Sequence, residues 1–93
     1  MIIATAKIKL KADWCHSLKE KRMVVNKIID KVSNKFNVSI SEIEDLDLHN
    51  SIVLGVASVS NSTSYGDSVI QKVINYIENI SDAYITHIET EIL

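Results

Sequence analysis

The first patterned segment of the chain, residues 3–11, alternates apolar and polar side chains. A period of two residues is typical of a β-strand with one buried face and one face in water. We therefore predict a first strand here, with its lysines on the wet face. The apolar positions are Ala4, Ala6, Ile8 and Leu10, and the polar positions are Thr5, Lys7, Lys9 and Lys11.

The next segment has the signals of an amphipathic helix. Ser17 precedes Glu20 by three residues, the spacing of a capping box, in which both side chains bond free amides at the start of a helix. Apolar residues then recur at intervals of three and four and form a stripe, which predicts a helix of about five turns. The stripe consists of Leu18, Val25, Ile28, Ile29, Val32 and Phe36.

Two further strands are predicted in the middle of the chain. Residues 37–44 contain three apolar side chains without clean alternation, which favours an edge strand with a bulge near Ser41. A polar turn separates it from residues 52–59, whose nearly continuous apolar run is typical of a central strand covered on both faces. Because Gly55 and Ala57 are small, we expect a helix or a partner sheet to approach their face closely.

The last third of the chain predicts a second helix and a fourth strand. Residues 61–64 supply turn and N-cap side chains, and the following Gly66 lies on the apolar stripe of the helix, which indicates close approach to the sheet. Residues 83–93 then alternate again. The helical stripe consists of Val69, Val73, Ile77 and Ile80, flanked by Ile70 and Tyr76.

The resulting order, βαββαβ, predicts a single α+β domain of the ferredoxin-like type over residues 1–93. Right-handed crossovers in both halves give a four-stranded antiparallel sheet of order 4-1-3-2 with both helices on one face. The other face is then open, and the alternation places opposite charges on its neighbouring first and fourth strands, where they can pair. These residues are Lys7, Lys9 and Lys11 on the first strand and His87, Glu89 and Glu91 on the fourth.

Composition favours a folded protein outside the membrane. The 93 residues are 46% hydrophobic, with no proline and two glycines, which excludes a disordered chain. A chain of this size buries only about 60–65% of its unfolded surface, so a homodimer sharing a sheet face or edge is one way to gain stability. The chain shows neither a signal-peptide pattern nor a bilayer-length apolar run, so we expect a cytoplasmic protein without a membrane partner.

Charge is distributed unevenly along the chain. Residues 1–36 contain nine basic and three acidic residues, whereas residues 37–93 contain one lysine and nine acidic residues. Cations in a first helical turn oppose the helix dipole, and lysines four residues apart repel each other. Residues that cost local stability are candidates for function, and such a ridge suits a phosphate backbone. The candidate nucleic-acid-binding residues are Lys19, Lys21, Arg22, Lys27, Lys31 and Lys35.

The sequence contains no recognisable pattern of catalytic or cofactor chemistry. Phosphate-loop, dinucleotide and zinc motifs are absent, the three histidines are scattered, and the acidic run Glu42–Asp47 lacks the spacing of a calcium loop. We interpret Cys15, the single cysteine, as structural. We therefore expect no enzyme activity, cofactor, metal or small-molecule substrate. The predicted central strands also lack the exposed aromatic residues of an RNA-recognition sheet, so any RNA contact is expected through charge and shape.

The chain contains three distinctive segments, S-L-K-E-K-R at residues 17–22, F-N-V-S at 36–39 and L-G-V-A at 54–57. In this order and spacing they resemble the YlxP-like family of bacterial proteins, domain of unknown function 503, over essentially the whole chain. The resemblance implies a ferredoxin-like fold with no established activity, cofactor or catalytic residues. The family's genes often neighbour genes of translation and ribosome maturation, which implies an RNA- or ribosome-associated role. The cations that it favours are Lys19, Lys21 and Arg22.

Two functional hypotheses follow from these patterns. In the first, the protein is a non-enzymatic accessory factor that binds structured RNA or a ribosomal particle through the basic face of its first helix. In the second, it is a dimeric protein-interaction or regulatory module that packs through its open sheet face. The lysines are then only solvated, or they pair with the acidic residues Glu42, Glu44, Asp45 and Asp47.

Overall fold

The computed structural model describes residues 1–93 and contains six elements in the predicted order. Serine side chains begin both helices: Ser17 Oγ accepts a hydrogen bond from the Glu20 amide at 3.2 Å, and Ser62 Oγ accepts one from the Tyr65 amide at 3.3 Å. These bonds satisfy amides that have no partner within the helix. The elements are β1 (Ile2–Lys11), α1 (Leu18–Lys35), β2 (Ser39–Glu44), β3 (Ser51–Ser60), α2 (Thr63–Ile80) and β4 (Tyr84–Ile92).

The strands form one antiparallel sheet of order β2-β3-β1-β4, which confirms the predicted ferredoxin-like plan. Even-numbered residues of β1 and β3 point toward the helices, because successive side chains of a strand alternate between its faces. They supply the sheet's share of a core of 17 buried residues, which includes Ile8 and Leu54 from the sheet and Ile28 and Ile77 from the helices. The helices therefore bury one face of the sheet and leave the other open.

Gly66 allows α2 to pack closely on β1. A methyl group at this position would lie 3.1 Å from Ala4 Cβ and 3.3 Å from Ser60 Oγ, so the close approach predicted from the sequence is confirmed. Neither helix is long and apolar enough to cross a membrane. The buried stripe of α2 differs slightly from the predicted one and consists of Gly66, Ile70, Val73, Ile74 and Ile77.

The edge strand β2 contains a bulge at a different residue from the predicted one. Glu42 pairs with Leu54 and Glu44 pairs with Val53, so the extra residue is Ile43 and not Ser41. An extra residue bends the strand and re-aims the side chains that follow it. As a result, Ile43 lies on the open face, and Glu42 keeps its position on the helix side.

The edge strand β4 also departs from strict alternation. His87 pairs with Lys9 and Ile85 pairs with Leu10, so Thr86 is an extra residue on this strand. The predicted alternation of residues 83–93 is therefore wrong at this point. Ile85 points toward the helices and packs against the core. The sequence pattern placed Tyr84 and Thr86 on that face instead.

Candidate nucleic-acid interface

Five of the six candidate cations extend from α1 into solvent. Their side chains are exposed, and none lies within ion-pair distance of a carboxylate. The helix also carries the acidic residues Glu20 and Asp30, so its exposed surface keeps an excess of positive charge. The five cations, which we call the α1 cations, are Lys19, Arg22, Lys27, Lys31 and Lys35.

Lys21, the sixth candidate, is buried, and its predicted role as a nucleic-acid contact is corrected. Only 2% of its surface is exposed. Its Nζ donates hydrogen bonds to the backbone carbonyls of Asp45 and Leu48, each at 2.6 Å, and lies 2.8 Å from Glu42 Oε2. An ammonium group engaged by three oxygens inside the protein is not available to a phosphate.

The position of Lys21 on the helix carried a signal that the sequence reasoning missed. Lys21, Val25, Ile28 and Val32 follow one another at intervals of four, three and four residues, and they are the buried residues of α1. Lys21 therefore occupies a core position of the amphipathic stripe. Leu18, which the apolar pattern assigned to that stripe, is instead 40% exposed.

The hairpin between β2 and β3 is shaped around the Lys21 ammonium group. Asp45 has a positive φ of 56°, and its carbonyl also accepts the Leu48 amide at 3.0 Å, which closes a tight turn. The Asp45 carboxylate accepts a hydrogen bond from Ser51 Oγ at 2.7 Å. Lys21 thus ties the first turn of α1 to this hairpin, and Glu42 and Asp45 have structural roles.

The four lysines among the α1 cations follow a diagonal band rather than a straight ridge, and Arg22 lies to one side of this band. Four residues rotate a helix about 40° beyond one full turn, so each successive lysine lies further around the helix axis. Arg22 borders a shallow depression beside the hairpin, whereas Lys35 Nζ lies 5.1 Å from the centre of the Tyr76 ring on α2. From Lys19 to Lys35 the band is about 24 Å long.

The lysines on the open face of the sheet differ from the α1 cations because each has an acidic partner. Lys7 forms an ion pair with Glu44 and lies 4.0 Å from Glu89, and the hydrogen bond to Glu44 raises the pKa of the Lys7 ammonium. Lys9 and Lys11 each lie 4.0 Å from an aspartate carboxylate. Strand register places Lys7 opposite Glu89 and Lys9 opposite His87, in line with the predicted pairing of β1 and β4, whereas Glu91 lies opposite Thr5 and Lys11 lies opposite Tyr84.

The same open face forms a groove of about 660 Å³. Gly55 and Ala57 provide a floor of small residues, and Lys7 and Glu89 contribute charged groups to its lining. Serine and threonine hydroxyls contribute much of the remaining lining. The lining therefore combines charged groups and hydroxyls with apolar residues, and its one lysine is paired to carboxylates.

Cys15 is buried in the loop that precedes α1. Burial raises the pKa of its thiol, and the nearby Glu20 carboxylate acts in the same direction. A thiol that stays protonated is a poor nucleophile, so its surroundings fit the structural interpretation. No three histidine, cysteine or acidic side chains come together in an arrangement that could hold a metal ion.

Comparison with known proteins identifies the family. Residues 3–90 match the family model described as "Protein of unknown function (DUF503)". The chain belongs to this family. It is also 41% identical, over 75 residues, to the "Uncharacterized protein YlxP" of Bacillus subtilis (strain 168), a match that covers 81% of the chain and 82% of the relative. The resemblance inferred from the three sequence segments is confirmed.

A solved structure with the same plan is a de novo designed protein with the ferredoxin fold, determined by NMR in solution. It superimposes with a TM-score of 0.60 over 98% of this chain and 88% of the designed chain, at 19% sequence identity. This similarity concerns the fold alone. A designed protein shares the backbone plan without a family relationship, so functional inference rests on the residues placed upon it.

Proposed function

We propose that this protein is a non-enzymatic accessory factor that binds structured RNA, free or within a ribosomal particle in the cytoplasm, through the α1 cations. The observation that carries the proposal is the contrast between the two sets of exposed cations. Lysines on the open face have acidic partners, whereas the five on α1 have none. Unpaired cations at four-residue spacing repel one another, and a polyanion relieves this cost.

The expected mode of binding is contact with the phosphate backbone. A row of cations about 24 Å long can neutralise several phosphates, which releases their counterions and drives association. Base recognition by stacking needs aromatic side chains on the central strands. The open face of β1 and β3 presents lysines, Gly55 and Ala57 instead. We therefore expect recognition of shape and charge with little dependence on base sequence.

The competing hypothesis, a dimer packed through the open face, has less support. Face-to-face packing would bury Lys7, Lys9 and Lys11 together with their carboxylate partners. Removing such charges from water costs free energy that an ion pair repays only with excellent geometry. Two of these three lysines lie as far as 4.0 Å from their partners. The charged side chains around the groove thus disfavour packing through this face.

The test measures binding to a structured RNA hairpin, and to ribosomal particles by co-sedimentation, for two matched triple variants. The first replaces Arg22, Lys27 and Lys31 with glutamine. The control replaces Lys9, Lys11 and Lys72 with glutamine, which changes the net charge by the same amount. The three control positions are exposed and belong to β1 and α2 rather than to α1.

We expect the α1 variant to bind more weakly and to lose about 2–3 units of the log-log salt slope, because each phosphate contact contributes about 0.7–0.9. Between 50 and 200 mM salt the wild type should then lose about 20- to 40-fold more affinity than the α1 variant. The control variant should behave like the wild type. Equal losses in both variants, or no loss in either, would remove the support for an RNA interface on α1.

A further inference from the structure

Two exposed aromatic side chains lie near each other at the end of the sheet where β1 finishes. Trp14, the only tryptophan of the chain, is 44% exposed, and Tyr84, opposite the last residue of β1, is 53% exposed. The Tyr84 hydroxyl donates a hydrogen bond at 3.0 Å to the carboxylate of Asp13, the residue next to Trp14. We call Trp14 and Tyr84 the aromatic patch.

The turn that carries Trp14 is anchored at both ends. The Cys15 amide donates a hydrogen bond to the Ala12 carbonyl at 3.0 Å, so Asp13 and Trp14 are the central residues of a β-turn. Ala12 and Cys15 themselves are buried in the core. The central positions of turns usually carry small or polar residues, whereas an indole exposes a large apolar surface there. The turn therefore presents Trp14 to solvent from a fixed backbone, without using it in the core.

The ring faces of the aromatic patch have no aromatic or cationic partner within the protein. The aromatic pair in the structure is Phe36 with Tyr76, and the lysine that lies over a ring, Lys35, contacts those same two residues. The charge beside the patch is also balanced, because the Asp13 carboxylate accepts the tyrosine hydroxyl and lies 4.0 Å from Lys11 Nζ. The patch is thus a flat, apolar surface open to a planar ligand.

The aromatic patch lies just beyond the N-terminal end of the α1 cations. Trp14 precedes the N-cap residue Ser17 by three residues and Lys19, the first of the α1 cations, by five. Five residues span at most about 18 Å, so the Cα atoms of Trp14 and Lys19 lie within this distance. A nucleic-acid strand that leaves the α1 cations at this end can therefore reach the patch.

We propose that Trp14 stacks on an unpaired base of the RNA whose phosphates contact the α1 cations, an inference that rests on the proposed function. The ligand class is then an RNA duplex that continues into a single strand. Bases inside a duplex are already paired and stacked, whereas unpaired bases can stack on aromatic side chains. Stacking on an aromatic ring accepts any base, so it agrees with binding that depends little on base sequence.

The test compares a blunt RNA duplex with the same duplex carrying unpaired tails at both ends, using the fluorescence anisotropy of labelled RNA. The wild type should bind the tailed duplex more tightly. Trp14→Ala should lose about 5- to 150-fold in affinity for the tailed duplex, the value of one stacked base, and keep its affinity for the blunt one. Its log-log salt slope should not change, because no phosphate contact is removed. Trp14→Phe should restore part of the loss.

A matched control and a direct signal accompany these variants. Tyr65→Ala also removes an exposed aromatic side chain, but from the first turn of α2, near the opposite end of β1, and it should bind both duplexes like the wild type. Because the chain has one tryptophan, its fluorescence reports on Trp14 alone. Stacking on a base quenches indole emission, so the tailed duplex should quench it more strongly than the blunt duplex.

The outcomes separate this inference from the proposed function. If the wild type binds both duplexes equally, or if folded Trp14→Ala binds the tailed duplex as tightly as the wild type, stacking by Trp14 is overturned and binding through the α1 cations stands. If the wild type binds neither duplex, the proposed function fails and this inference fails with it. Circular dichroism verifies that each variant is folded.

Discussion

Replacing Lys21 with methionine removes a buried charge while keeping most of its aliphatic stem. The carbonyls of Asp45 and Leu48 lose the donor that each meets at 2.6 Å. The Glu42 carboxylate loses its nearest cation, although the Glu42 side chain is only 20% exposed. The variant therefore leaves three oxygens without their partner at the junction of α1 and the hairpin.

The expected loss follows from these contacts. Removing one member of a buried ion pair costs about 3–5 kcal/mol, and the partial access of Glu42 to water favours the lower value, about 3 kcal/mol. A chain of 93 residues has a free energy of unfolding of about 5–14 kcal/mol, so the variant still folds at low temperature. A loss of this size lowers the melting temperature by about 12–24 °C.

Thermal and urea unfolding followed by circular dichroism measure the free energy of unfolding of Lys21→Met, which is compared with that of two further variants. Lys31→Met removes an exposed cation without an ion pair, and its free energy of unfolding should stay within about 0.5 kcal/mol of the wild type. Adding Glu42→Gln to Lys21→Met should restore about 1 kcal/mol, because no unpaired carboxylate remains. If Lys21→Met and Lys31→Met were equally stable, Lys21 would not hold the hairpin.

The same two variants should behave in the opposite way when RNA binding is measured at 10 °C, where both are folded. Lys21→Met should bind like the wild type, because its ammonium group is inside the protein. Lys31→Met should bind less tightly. A large loss of binding in folded Lys21→Met would indicate that the first turn of α1 opens and exposes Lys21 when RNA binds.

Three further substitutions or treatments test the packing. Gly66→Ala should destabilise the protein by about 1 kcal/mol in urea unfolding, because overpacking against Ala4 exceeds the gain in helix propensity. Gly55→Ala should lower the free energy of unfolding by less, because its close neighbour is the exposed side chain of Ile43, which can rotate away. A larger loss for Gly55→Ala than for Gly66→Ala would contradict this packing. Cys15 should react slowly with a thiol reagent until the protein unfolds. The pKa of the Cys15 thiol is raised in the folded protein, so the stability that this thiol contributes is complete below its ordinary pKa of 9.0 and declines as the pH rises above that value. The free energy of unfolding in urea should therefore show this loss between pH 8 and pH 10.

The hydrophobic pattern was sufficient to predict the order of elements because each strand and helix has its own period. The alternation in β1, for example, shows which residues face the helices. Loss of alternation predicted a bulge in β2 but not its residue, Ile43, and the bulge at Thr86 was not predicted at all. A bulge is a mismatch between two paired strands, and no single strand's sequence records which residue of the pair is extra.

The candidate interface was predictable only in part, for a related reason. Residue type alone placed Lys21 with the other cations, although the spacing to Val25 and Ile28 identifies a core position. A buried lysine requires oxygens from elsewhere in the chain, and those come from Glu42 and from the backbone of the hairpin. Position on the helix is visible in the sequence, whereas the partner that makes burial possible is a tertiary contact.

The topology of the sheet explains why one set of cations is paired and the other is not. The acidic second part of the chain supplies both edge strands, so carboxylates lie on either side of the basic strand β1. Lys7 reaches Glu89 on β4 and, past the side-chain-free Gly55 on β3, Glu44 on β2. No acidic strand lies beside the outer surface of α1, so the α1 cations have no such neighbours. The fold therefore neutralises the sheet and leaves the positive charge on the helix, where a polyanionic partner can reach it.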